Sequence, residues 1–141
     1  MDFLKQSLVG VAIVLALAGL NGLVNPNLPE WCMDELREGE VRLNHALVQN
    51  HNVLWVDARG EEAYHIAHAE GAVLLNPARW DELLPVFLDI WQPELMVVVY
   101  CSTRTCQASH EVAERLRSEV GIDSVFVLKG GWKAWAQFQG E

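Results

Sequence analysis

The chain has 141 residues, 51% of them apolar and 21% charged, with a formal net charge of -9. A domain takes roughly 100 to 200 residues, so there is room for one compact domain and an appendage, and neither two large domains nor a disordered chain fits these numbers. The acidic balance repels phosphate backbones, which argues against a nucleic acid partner, and three cysteines are too few for a disulfide scaffold.

The apolar surplus is concentrated at the N-terminus. Leu8 to Val24 runs without a charged residue and is close to the length that crosses a bilayer core as a helix. It reads as a hydrophobic membrane helix or a signal segment, with an uncleaved anchor preferred because the apolar run continues past the small-x-small stretch Ala16-Leu17-Ala18. Lys5 precedes it, and Glu30, Asp34, Glu35, Glu38 and Glu40 follow it. Basic flanks stay in the cytoplasm, which places the globular part on the extracytoplasmic side of a single-pass membrane protein. Residues 1–29 are therefore assigned to the anchor and linker, and 30–141 to the folded domain.

Beyond Pro29 the period changes, and short β-branched runs alternate with helical stretches, the pattern of an α/β fold. A helix is predicted over Leu43 to Gln49 and a strand over Val53 to Val56, ending at Asp57. A helix follows over Glu61 to Ala67, a strand over Ala72 to Leu75 and a helix over Trp80 to Trp91. The strand Met96 to Tyr100 is apolar throughout, as a central parallel strand buried on both faces is. It leads into a helix from Cys106 to Val120 in which Ala108, Val112, Ala113 and Leu116 share one face. A strand at Ser124 to Leu128 and a helix at Trp132 to Phe138 complete the chain.

In open α/β sheets ligands bind beyond the carboxyl ends of the strands. Here the central strand runs straight into Cys101-Ser102-Thr103-Arg104-Thr105-Cys106 and then a helix. A short loop at that position turns its amide groups inward, and the helix start adds positive partial charge, so a thiolate at Cys101 is stabilised there. Arg104 supplies a full positive charge to the thiolate or to an anionic substrate. The competing reading makes Cys101 a small buried hydrophobe, as most free cysteines are. His45, His51, His65, His68 and His110 lack the spacing of a zinc site and no Cys-x-x-Cys occurs, so neither a metal nor a cofactor is expected.

Five landmarks recur in order: Val56-Asp57-Ala58-Arg59; Glu62 and Tyr64; Ala67-His68-Ala69-Glu70-Gly71-Ala72; Val98-Val99-Tyr100-Cys101; and Leu128-Lys129-Gly130-Gly131-Trp132. From about Glu40 to Phe138 the chain resembles a rhodanese domain. The resemblance implies a rhodanese-like α/β fold with a five-stranded, mainly parallel sheet and helices on both faces. It also implies a sulfurtransferase whose Cys101 accepts sulfane sulfur from a small donor as a persulfide and passes it to a thiol or cyanide acceptor. Ser102, Thr103, Arg104, Thr105 and Cys106 form the expected binding loop. Asp57 and Arg59 are expected as a supporting hydrogen-bonded pair, and His68 as a buried, satisfied histidine.

The loop departs from the family pattern. Family loops often carry Gly fourth and Arg sixth, where this one has Arg104 and Cys106, which leaves the donor open. Phosphatases on this fold close their loop with an Arg, and the residue here is Gln107. Two readings of Cys106 stand side by side. It attacks a Cys101 persulfide and forms a disulfide, or it points into helix packing and never meets Cys101. A thiol-disulfide redox protein and a non-catalytic binding module are the alternatives to a transferase.

Overall fold

The computed structural model describes residues 35–48, 52–102 and 106–139. Five strands form one sheet: β1 Glu40–Val41, β2 Val53–Asp57, β3 Val73–Leu74, β4 Met96–Tyr100 and β5 Val125–Leu128. Their order is β1-β5-β4-β2-β3, and every pairing is parallel. The helices are α1 Leu43–Val48, α2 Glu61–Ile66, α3 Trp80–Ile90, α4 Gln107–Arg115 and α5 Gly131–Gln139.

Alternation along β4 divides the core into two layers. Val97 and Val99 face one side, where Trp80 and Phe87 of α3 and Val112 and Ala113 of α4 pack with Leu116, Leu54 and Val56. Val98 and Tyr100 face the other, against Trp55, Leu128, Ala46 of α1 and Trp135 of α5. Each fully buried valine of β4 contributes roughly 1.5 to 3 kcal/mol, which holds the strand's carboxyl end in place. The short helix α2 buries none of its residues.

Several boundaries differ from those expected. β1 was not anticipated, because two residues carry no periodicity; it is recognised only by its pairing of Glu40 with Val127 and Val41 with Leu128. The strand expected over Ala72 to Leu75 shortens to Val73–Leu74. Helix α4 begins one residue after Cys106, and its continuation Leu116–Val120 is a wider π turn ended by Gly121 in the left-handed region at φ 80°. A 3-10 turn at Pro77–Arg79 precedes α3, with the Asn76 side chain accepting from the Arg79 N–H.

No described helix is long and apolar enough to cross a membrane. The expected N-terminal hydrophobic helix at Leu8 to Val24 lies outside the described residues, as do Gln49, His51, Thr103, Arg104 and Thr105.

Candidate active site at the end of the central strand

Parallel pairing brings the carboxyl ends of β2 and β4 side by side, with Asp57 opposite Tyr100. The Ala58 N–H then donates to the Tyr100 carbonyl at 2.8 Å. Cys101 follows directly and is 4% exposed. Its carbonyl accepts from the Trp132 N–H at 2.6 Å. That donor is one of the N–H groups a helix start leaves without an internal partner, so α5 grips the backbone of the cysteine itself. The turn delivering it needs Gly130 at φ 85° and Gly131 at φ 57°, a region that residues with a Cβ rarely adopt.

The sulfur of Cys101 is bonded to that of Cys106, with the Cα atoms 6.0 Å apart. Of the two readings of Cys106, the one that joins it to Cys101 is the one present. Cys101 is present as half of a disulfide and not as a free thiolate. Cys106 is the N-cap of α4 with extended backbone, φ -71° and ψ 121°, and its sulfur is committed to Cys101. Ser102 is exposed.

Beneath the cysteine lies a buried polar network. Asp57 is fully buried, and Arg59 is 7% exposed. The Asp57 carboxylate accepts from the Arg59 backbone N–H at 2.9 Å, from Nε at 3.0 and 3.1 Å and from Nη2 at 2.7 Å. The Tyr100 hydroxyl donates to Asp57 Oδ2 at 2.8 Å and accepts from the Ala69 N–H at 3.0 Å. Arg59 Nη2 also donates to the Ala67 carbonyl at 2.6 Å, and Asn76 Nδ2 donates to the Arg59 carbonyl at 3.3 Å. The guanidinium lies 4.5 Å from the Trp132 ring centre and 5.6 Å from that of Tyr100. Strand ends, the Ala67 to Ala72 segment and the start of α5 are thereby tied together, and no buried side-chain polar atom of the network is left unpaired.

The electrostatics follow from this packing. Burial alone would lower the Arg59 pKa, but hydrogen bonds and charge from Asp57 outweigh it and hold the guanidinium above its usual range. Burial pushes the Tyr100 hydroxyl above its ordinary 10.0, and the Asp57 charge adds to this against the opposing Ala69 N–H. The Arg59 charge is thus committed to Asp57.

Asp57 and Arg59 are brought together one strand from Cys101, while His68 is elsewhere in character. Its expected burial is corrected: the side chain is exposed, stacked on Tyr64 at 4.0 Å between centres, with Nδ1 2.8 Å from the Tyr64 carbonyl. A carbonyl only accepts, so Nδ1 carries the proton in this bond. Among the described residues no group of His, Cys, Asp and Glu is placed to hold a metal. Sequence reasoning passed over Tyr100 and Asn76 as network members; the available signal was a tyrosine closing an otherwise aliphatic buried strand.

The model of the family described as rhodanese-like domain matches residues 41–138. The chain belongs to the rhodanese-like domain family. Among solved structures, this rhodanese-like domain is similar to the BH2092 protein of Bacillus halodurans, with 22% identity and a TM-score of 0.59 over 72% of this chain and 74% of that one. It is also similar to the rhodanese-like domain of the Alr3790 protein from Anabaena, with 23% identity and a TM-score of 0.56 over 72% and 76% of the two chains. A third likeness is to part of EanB, solved with a cysteine persulfide and ergothioneine: 24% identity and a TM-score of 0.52 over 64% of this chain and 24% of that one. At these identities the structures share the fold.

Proposed function

We propose that this rhodanese-like domain is a sulfurtransferase that carries sulfane sulfur as a persulfide on Cys101. The observation that carries the reading is the position of Cys101: it directly follows the central strand β4, its carbonyl is held by the Trp132 N–H, and the nine-residue helix α4 starts just after its disulfide partner. A helix start favours negative charge, which lowers the pKa of a cysteine beside it once the disulfide is reduced.

The Cys101 thiolate attacks the outer sulfur of a donor and expels the remainder of the donor as an anion. An acceptor thiolate or cyanide then attacks the outer sulfur of the persulfide and returns the Cys101 thiolate. In this reading Arg104 and the loop amides from Ser102 through Thr103 and Thr105 to Cys106 receive the anionic donor, and Asp57 and Arg59 brace the strand ends. The uncharged run Leu8 to Val24 supports a membrane tether, and Lys5 before it with the acidic residues after it favours an extracytoplasmic domain.

The test is intact-mass analysis of the reduced Cys106→Ser variant after incubation with benzenethiosulfonate, a thiol-free sulfane donor. A gain of one sulfur atom, mapped to the Cys101 peptide and removed by cyanide, is expected. Its absence, with Cys106→Ser matching Cys101→Ser, would overturn the reading in favour of a binding module.

A further inference from the structure

Sulfur transfer needs only one thiol, and a second cysteine joined to the first has no part in it. The disulfide places Cys106 Sγ on Cys101 Sγ, which is the inner sulfur of the persulfide. Cys106 caps α4 and makes no side-chain cap hydrogen bond, so its thiol has no competing structural task. The Cα separation of 6.0 Å lies within the ordinary span of a disulfide. The two residues are also unequally buried: Cys101 is 4% exposed, whereas Cys106 is half-buried.

We propose that Cys106 is a second catalytic residue, a resolving thiol that makes the domain a dithiol-dependent sulfide-releasing enzyme. The proposal rests on the Cys101 persulfide of the preceding section. The Cys106 thiol, after losing its proton, attacks Cys101 Sγ; the inner to outer sulfur bond breaks, and the outer sulfur leaves with the electron pair and takes up the proton as hydrosulfide. The balance is Cys101-S-S⁻ plus Cys106-SH giving Cys101-S-S-Cys106 plus HS⁻. The sulfane sulfur is reduced, and the two cysteine sulfurs are oxidised. Hydrosulfide is the conjugate base of a comparatively strong acid among thiols, which makes it a good leaving group.

The disulfide is then the state at the end of each turnover. Regeneration requires a dithiol, which supplies two electrons and two protons and becomes a disulfide itself. Cys106 is the less buried residue of the pair, so in this scheme the attack falls on Cys106 Sγ and expels Cys101 as the thiolate, freeing the sulfur acceptor first. The partner chemistry is therefore that of a dithiol reductant able to reach a half-buried cysteine.

The test loads the reduced full chain and its Cys106→Ser variant with benzenethiosulfonate after reductant removal, and reads released sulfide and intact mass. Wild type is expected to release one equivalent of sulfide and end lighter by two hydrogen atoms, with repeated turnover when dithiothreitol is supplied. Cys106→Ser is expected to hold the persulfide and, with external thiol at ~10 µM, to release sulfide about 100-fold more slowly, since a neighbouring thiol has an effective concentration in the millimolar range or above. Serine is a favoured N-cap, and Cys106→Ala gives an independent variant with the same expected retention. A Cys106→Ser persulfide together with a wild type that also retains its sulfur would overturn this inference alone. Failure of both Cys106 variants to load would overturn the Cys101 persulfide and the inference with it.

Discussion

Asp57→Asn tests whether the buried network holds the end of the sheet. The substitution keeps the side chain's shape but removes the charge that partners Arg59, whose side chain is 6% exposed. The guanidinium keeps the Ala67 carbonyl and loses its counterion, while an amide N–H₂ now faces donors. Breaking one side of a buried pair costs about 3 to 5 kcal/mol, a large share of the ~5 to 15 kcal/mol that holds a domain folded. With a urea slope of about 2 kcal/mol per M, the unfolding midpoint should fall by ~2 M at unchanged slope. The assay is urea unfolding of the disulfide form followed by tryptophan fluorescence, for which the chain has six tryptophans. Adding Arg59→Met removes the stranded charge, so the double variant should lose less than the sum of the single losses. A midpoint shift below about 0.5 M in Asp57→Asn would refute the reasoning, because Arg59 would then not depend on Asp57.

Both tyrosines of the chain, Tyr64 and Tyr100, have their hydroxyls pushed above 10.0, burial first and the Asp57 charge with it. Absorbance at 295 nm should therefore show no tyrosinate step at pH 10 in the folded protein. Because the raised value belongs to the folded state, the contribution of each tyrosine is complete below pH 10 and is lost as pH rises from there toward the folded value, so ionisation should coincide with alkaline unfolding. Gly130→Ala places a side chain in the left-handed region at φ 85° with its Cβ 2.9 Å from Ala134 Cβ, and should lower stability in urea by about 2 kcal/mol. Reducing the disulfide opens a small loop, which by chain entropy removes about 2 kcal/mol of stability; equal urea midpoints with and without dithiothreitol would contradict this.

Much of the sheet could be read from the sequence because its central strands announce themselves. Val97, Val98 and Val99 are buried on both sides, so a continuous apolar run was enough to place β4 and the cysteine at its tip. The network escaped because it depends on register. Asp57 and Tyr100 are separated by a helix, a strand and another helix in the chain, and meet only because β2 and β4 pair in one alignment. His68 escaped for a different reason: sequence shows a histidine between two alanines but not that Tyr64 provides an outward platform for its ring. Spacing alone could not decide Cys106, since its side chain direction is set by the extended backbone of an N-cap. The helical extent to Val120 was legible from the apolar stripe through Leu116, but not the widening of the hydrogen bonding from Leu116 onward.

The outermost strands of the sheet, β1 and β3, are two residues long each, while the three between them are longer. Open strand edges are templates on which another molecule can extend a sheet, and brevity is one way of denying them. Among the described residues the two edge strands therefore offer little backbone for a further strand to pair with, and the long ladders of the sheet are confined to its interior.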